Sequence, residues 1–82
     1  MLLADGLEDA FVGVCERFGF PEPVAAYDRD KCIEILMRDG GTREDAEEYF
    51  YFNTIGAWVG EQTPVFVRMV TLKEAIEEAN DE

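Results

Sequence analysis

Apolar residues recur at helical spacing from the first residues of the chain. Over residues 2–18, Leu3, Leu7, Ala10, Phe11, Val14, Cys15 and Phe18 fall on one helical line, which predicts a first helix. Gly6 and Gly13 weaken it by up to about 1 kcal/mol each relative to Ala. Gly19 is placed to end it, and Pro21 and Pro23 prevent its continuation. Residues 23–27 form a short strand candidate. Asp28 then suits the N-cap of a second helix through Arg38, with Cys32, Ile33, Leu36 and Met37 turned inward.

Gly40-Gly41 breaks that helix, and Thr42 opens a third as its N-cap, with Asp45 in the capping-box position, running to about residue 58 before Gly60. Residues 63–70 alternate and are rich in β-branched side chains, so they read as a strand, with Pro64 confined to its start or to an edge. Thr71 and Glu74 form a Thr-x-x-Glu capping box for a last helix that keeps Leu72, Ala75, Ile76 and Ala79 on one side. The expected fold is α+β: one domain over residues 1–82, ordered α-β-α-α-β-α, with four helices packed on a two-stranded antiparallel ribbon.

The chain's 82 residues leave room for one domain, and 48% of them are hydrophobic, enough for a folded core. A chain of this size buries only about 60% of its unfolded surface, so its stability is thin. Charge changes the picture more. Nineteen acids face seven bases, a formal net charge of −12, and there is no His. Such a surface repels nucleic acid and anionic membranes and suits a basic protein partner. No run reaches the roughly 18 apolar residues of a membrane span. Asp5, Glu8 and Asp9 stand where a signal peptide carries positive charge, so the cytoplasm is the expected compartment. Cys15 and Cys32 could form one bridge, but their positions on apolar lines favour reduced, buried thiols.

Candidate chemistry is sparse. Neither Cys has a His to activate it, and no carboxylate pair stands out among so many. Asp28, Asp30 and Glu34 suggest a calcium loop, but Cys32 and Ile33 stand where an oxygen ligand and a Gly are needed. Gly40-Gly41 lacks a following Lys and is no phosphate loop. No enzyme activity, cofactor or metal is expected. The carboxylates themselves are the candidate binding feature. Glu44, Glu47, Glu48 and Tyr51 fall at i, i+3, i+4 and i+7 in the third helix, and Glu74, Glu77, Glu78 and Asp81 repeat that spacing in the last. Asp5, Glu8, Asp9 and Glu16 make a looser set in the first. Like charges at this spacing cost a helix roughly 0.2–0.5 kcal/mol per pair. Rows of this kind can present a phosphate-like pattern to Lys and Arg, or can serve solubility alone. In Tyr49-Phe50-Tyr51-Phe52, Phe50 is expected in the core, Tyr51 exposed beside the acids, and Phe52 and Trp58 in ordinary packing.

The stretch Tyr27-Asp28-Arg29-Asp30-Lys31-Cys32-Ile33-Glu34-Ile35-Leu36-Met37, with Glu48-Tyr49-Phe50 and Gly56-Ala57-Trp58-Val59-Gly60-Glu61-Gln62-Thr63-Pro64, resembles a family of small phage and prophage proteins that mostly carry no assigned activity. The resemblance implies a mobile-element origin. In size, charge and origin the chain is also similar to anti-CRISPR proteins that mimic nucleic acid, which implies an inhibitor of a CRISPR effector subunit acting in the host cytoplasm. Inhibition of a host nuclease or polymerase would use the same mimicry. The alternative is a phage accessory or structural protein whose acidity serves solubility.

Overall fold

The computed structural model describes residues 1–19, 21–38, 40–55 and 60–80. Among them the chain forms strands β1 (Phe11–Cys15), β2 (Val24–Asp28) and β3 (Val65–Val67) and helices α1 (Arg29–Met37), α2 (Arg43–Phe50) and α3 (Leu72–Asn80). The sheet is mixed, in the order β1-β2-β3. β1 pairs antiparallel with β2, and β2 pairs parallel with β3, aligning Ala26 with Val65 and Tyr27 with Phe66. The expected two-stranded antiparallel ribbon under four helices is therefore incorrect.

The error lies in the first eighteen residues. Gly6 has φ 88°, which no right-handed helix accommodates, and only a short 3-10 turn forms at Glu8–Ala10. Phe11 onward is extended instead. Gly13, at φ 151°, adjoins a break in register between Phe11 and Gly13 that leaves Val12 as the extra residue of a bulge. The glycines counted as a modest helix penalty thus set the backbone against any helix. Cys15 lies on β1, half-buried, rather than on a helix.

The helix starts follow the sequence closely. Asp28 is the N-cap of α1, its Oδ1 accepting the Lys31 N–H at 3.1 Å. Thr42 Oγ1 accepts the Asp45 N–H at 3.1 Å to open α2. Thr71 Oγ1 accepts the Glu74 N–H at 3.1 Å and donates to Glu74 Oε1, so the carboxylate returns to the hydroxyl and not to the backbone. α2 is shorter than expected: it gives way after Phe50 to a π-helical turn, Tyr51–Ile55. The expected extension of that helix to residue 58, with Trp58, lies outside the described residues. The last strand spans three residues rather than eight, and Pro64 precedes it.

One small core forms on the face of β2 that carries Ala25 and Tyr27. It joins Leu7 and Ala10 to Cys32 and Ile33 of α1 and to Ala46 and Phe50 of α2. Its largest members are Tyr27 and Phe50. Phe11 meets the Tyr27 ring edge-on at 5.7 Å, Phe66 stacks on it at 5.8 Å, and Phe50 meets Phe66 edge-on at 5.1 Å. The Tyr27 hydroxyl accepts the Ala4 N–H at 2.8 Å and ties down the N-terminal segment. α3 takes no part: none of its nine residues is buried. Among the described residues no helix is long and apolar enough to cross a membrane.

Tyr27→Phe is expected to keep the ring contacts and cost about 1 kcal/mol by orphaning the Ala4 amide. Hydrogen exchange at residues 4–7 should then speed up more than exchange in α1; unchanged protection there would mean that the hydroxyl does not anchor the segment.

Burial, reinforced by the charge of Asp28, pushes the Cys32 thiol from an ordinary 9.0 up to about 11. The unfolded chain therefore releases this proton first. The contribution is complete below about pH 9 and is lost as pH rises towards about 11, an alkaline loss on the order of 2 kcal/mol. Urea unfolding across that range should show the slope flattened in Cys32→Ala, and alkylation of the native protein should label Cys15 before Cys32.

Candidate functional site

α2 begins at Thr42 and turns its Ala46–Phe50 line into the core, so its remaining positions face solvent. Glu44, Glu48 and Tyr51 are exposed as the spacing predicts, and Glu47 is half-buried. On α3, Glu74, Glu77 and Glu78 are all exposed, and Asp81 lies outside the described residues. Asp5, Glu8, Asp9 and Glu16 are exposed too but share no helix, since none forms there.

These carboxylates divide into two groups. Glu47 Oε1 accepts from Arg43 Nε at 3.0 Å, and Arg43 also reaches Asp30 at 3.2 Å. Asp30 in turn accepts from Arg29 at 2.9 Å. Arg29 donates to the Tyr51 hydroxyl from Nε at 3.1 Å and from Nη2 at 2.6 Å, with its guanidinium 5.3 Å from that ring's centre. Glu78 is held by Arg68, the residue after β3. The second group has no cation partner among the described residues: Glu44 and Glu48 on α2, Glu74 and Glu77 on α3. Glu74 accepts only the Thr71 hydroxyl.

Electrostatics joins the two helices. The Arg29 side chain is only 15% exposed, and this burial works against its charge. The Tyr51 hydrogen bond, Asp30 and Glu47 outweigh it and hold the guanidinium above its usual pKa. Arg68 is raised as well, first by its hydrogen bond and charge contact with Glu78 and then by the charges of Tyr51 and Asp30. Arg68 thus holds α3 through Glu78 while sitting in the field of Tyr51 and Asp30. The parallel pairing accounts for this convergence: it brings Asp28 beside Val67, so that Arg29 and Arg68 leave the sheet at the same end.

Tyr51 is correspondingly less available than its 47% exposure suggests, because its hydroxyl is committed to Arg29. Arg29, Asp30, Arg43 and Arg68 belong to the site although charge spacing along the acidic rows did not single them out. The Arg43–Glu47 spacing of i, i+4 could have revealed one of them; Arg68–Glu78 depends on tertiary structure. Phe52, expected in the core, is 77% exposed.

The described surface also carries depressions. An open cleft of about 560 Å³ runs between the N-terminal segment, α1, α2 and β3, lined chiefly by apolar groups. A smaller one of about 280 Å³ lies beside Cys15, Val24 and Val65. Among the described residues no three His, Cys, Asp or Glu side chains cluster to hold a metal ion. No family model matches the chain, and no curated protein or solved structure does.

Proposed function

We propose that the protein is a binding module that engages a basic, nucleic-acid-binding surface of another protein and competes there with nucleic acid. The narrower proposal, which follows the phage resemblance, is inhibition of a CRISPR effector subunit in the host cytoplasm. The reading includes no catalytic step and no cofactor. One observation carries it: Glu44, Glu48, Glu74 and Glu77 stand exposed and without a cation partner among the described residues, whereas Arg29, Lys31, Arg38, Arg43 and Arg68 are engaged in ion pairs. Glu47, Glu78 and Tyr51 then brace the surface rather than contact the target. Exposed charge speeds association and is screened beyond about 8 Å at physiological salt, so binding weakens steeply as ionic strength rises.

The test is phage plating on a host with an active CRISPR system, with and without the protein. Wild type is expected to restore plating. Glu44→Lys with Glu48→Lys, or Glu74→Lys with Glu77→Lys, removes protection while leaving the fold intact, because these side chains are exposed and such changes shift stability by only about 0.5 kcal/mol. Losing desolvated carboxylate–Arg contacts costs about 2–5 kcal/mol of binding. Glu22→Lys, exposed and away from both helices, serves as the charge control. Full protection by both folded double variants would discard mimicry and favour an accessory or structural role, to which the exposed Phe18 and Phe52 also lend support.

A further inference from the structure

A compact protein of 9.3 kDa exposes about 5,000 Å². This chain exposes 6162 Å², an excess of about 1,200 Å², where a standard interface hides about 800 Å² per partner. Its radius of gyration is 13.9 Å, against about 11.7 Å for a compact chain of this length. The surplus has a visible source. α3 carries Leu72, Ala75, Ile76 and Ala79 on one side, yet Leu72 is 77% and Ile76 52% exposed. A nine-residue helix is below the roughly 12–15 residues at which even good helix formers become marginally stable alone. Its apolar side needs a cover that its own body does not provide.

The same chain holds a surface of matching chemistry. The cleft of about 560 Å³ is walled by Leu2, Leu3, Leu36, Tyr49, Pro64 and Phe66, with Asn53, Thr54 and Thr63 beside them, and among the described residues Asp5 is the one charged group in its lining. It is open, and Leu3 is 65% exposed at its rim. We propose that α3 of one copy lies in this groove of a second copy, and that the exchange is reciprocal about a two-fold axis. Leu72 and Ile76, one turn apart, are the anchors. The apolar lining fits an apolar helix face better than a basic partner at this surface. The groove offers almost no carboxylate for a cation, and α3 turns Glu74 and Glu77 away from its apolar side, so neither is desolvated by docking. Exchange covers both unpartnered surfaces of each chain at once.

Light scattering coupled to gel filtration, at high micromolar concentration, tests this. Wild type is expected to run at twice 9.3 kDa. Leu72→Glu with Ile76→Glu, and separately Leu3→Glu, are expected to raise the dimer dissociation constant about a hundredfold or more, since each puts charge against an apolar wall. All three positions are exposed, so circular dichroism should remain that of wild type. Mixing the helix variant with the groove variant should restore a dimer, because one exchange of the two then remains intact. Three results would each overturn the proposal. One is a monomeric wild type. Another is a dimer that survives in both variants, which places the contact elsewhere, such as the open edge of β1. The last is a dimer lost in the helix variant but kept in the groove variant, which makes α3 its own partner.

Discussion

The fold depends on the side chain of Tyr27. Its ring sits at the middle of the central strand, with Phe11 from one neighbour and Phe66 from the other against it, while its hydroxyl fixes the N-terminal segment. The small side chain of Ala25 on the same face leaves room for the helices to approach. Phe66 carries the contact onward to Phe50, and Phe50 to Tyr51 at 5.6 Å, so one aromatic path crosses the sheet and ends at the Arg29 cluster. In a core this small, few other contacts can substitute for it. The position of Arg29 and the alignment of β3 are both outcomes of how that path packs.

Charge is distributed unequally between holding the structure and facing outward. Arg29, Lys31, Arg38, Arg43 and Arg68 each meet a carboxylate, and most of these pairs are exposed and individually weak. Their larger effect is on the field. Cations committed to these pairs leave Glu44 and Glu48 on α2 and Glu74 and Glu77 on α3 without a cation partner among the described residues. On α3 the carboxylates and the apolar stripe occupy different sides, so one short helix can serve an assembly and a target without conflict.

What was legible in the sequence was local. The caps at Asp28, Thr42 and Thr71 were, because a cap is a contact across three residues. β2 was, and so was the exposure of Glu44, Glu48, Glu74, Glu77 and Glu78. The N-terminal helix was misread because apolar residues at helical spacing also occur by coincidence in a turn followed by a strand; the positive φ of Gly6 and Gly13 decided between them, and spacing carries no such sign. The parallel pairing of β3 was hidden because its cause, Phe66 against Tyr27, acts across two intervening helices. The ion pair of Arg68 with Glu78 was hidden for the same kind of reason: it joins a strand exit to a helix face. Phe52 follows Tyr51 into the π-helical turn, where extrapolation from α-helical spacing no longer tells which side a residue faces.

Parallel pairing also imposes an order in time. β1 and β2 are joined by a short connection, and α1 and α2 close only local loops, whereas β3 reaches β2 after the whole of α1 and α2 has been laid down. Loop-closure entropy makes such a contact late in folding. Pro64 and Phe66 wall the apolar groove, and α3 hangs from the end of the same strand. Until β3 docks, the chain therefore has neither a finished groove to offer nor a fixed helix to place in one. Pairing through these surfaces, as proposed, would then wait for a completed protein.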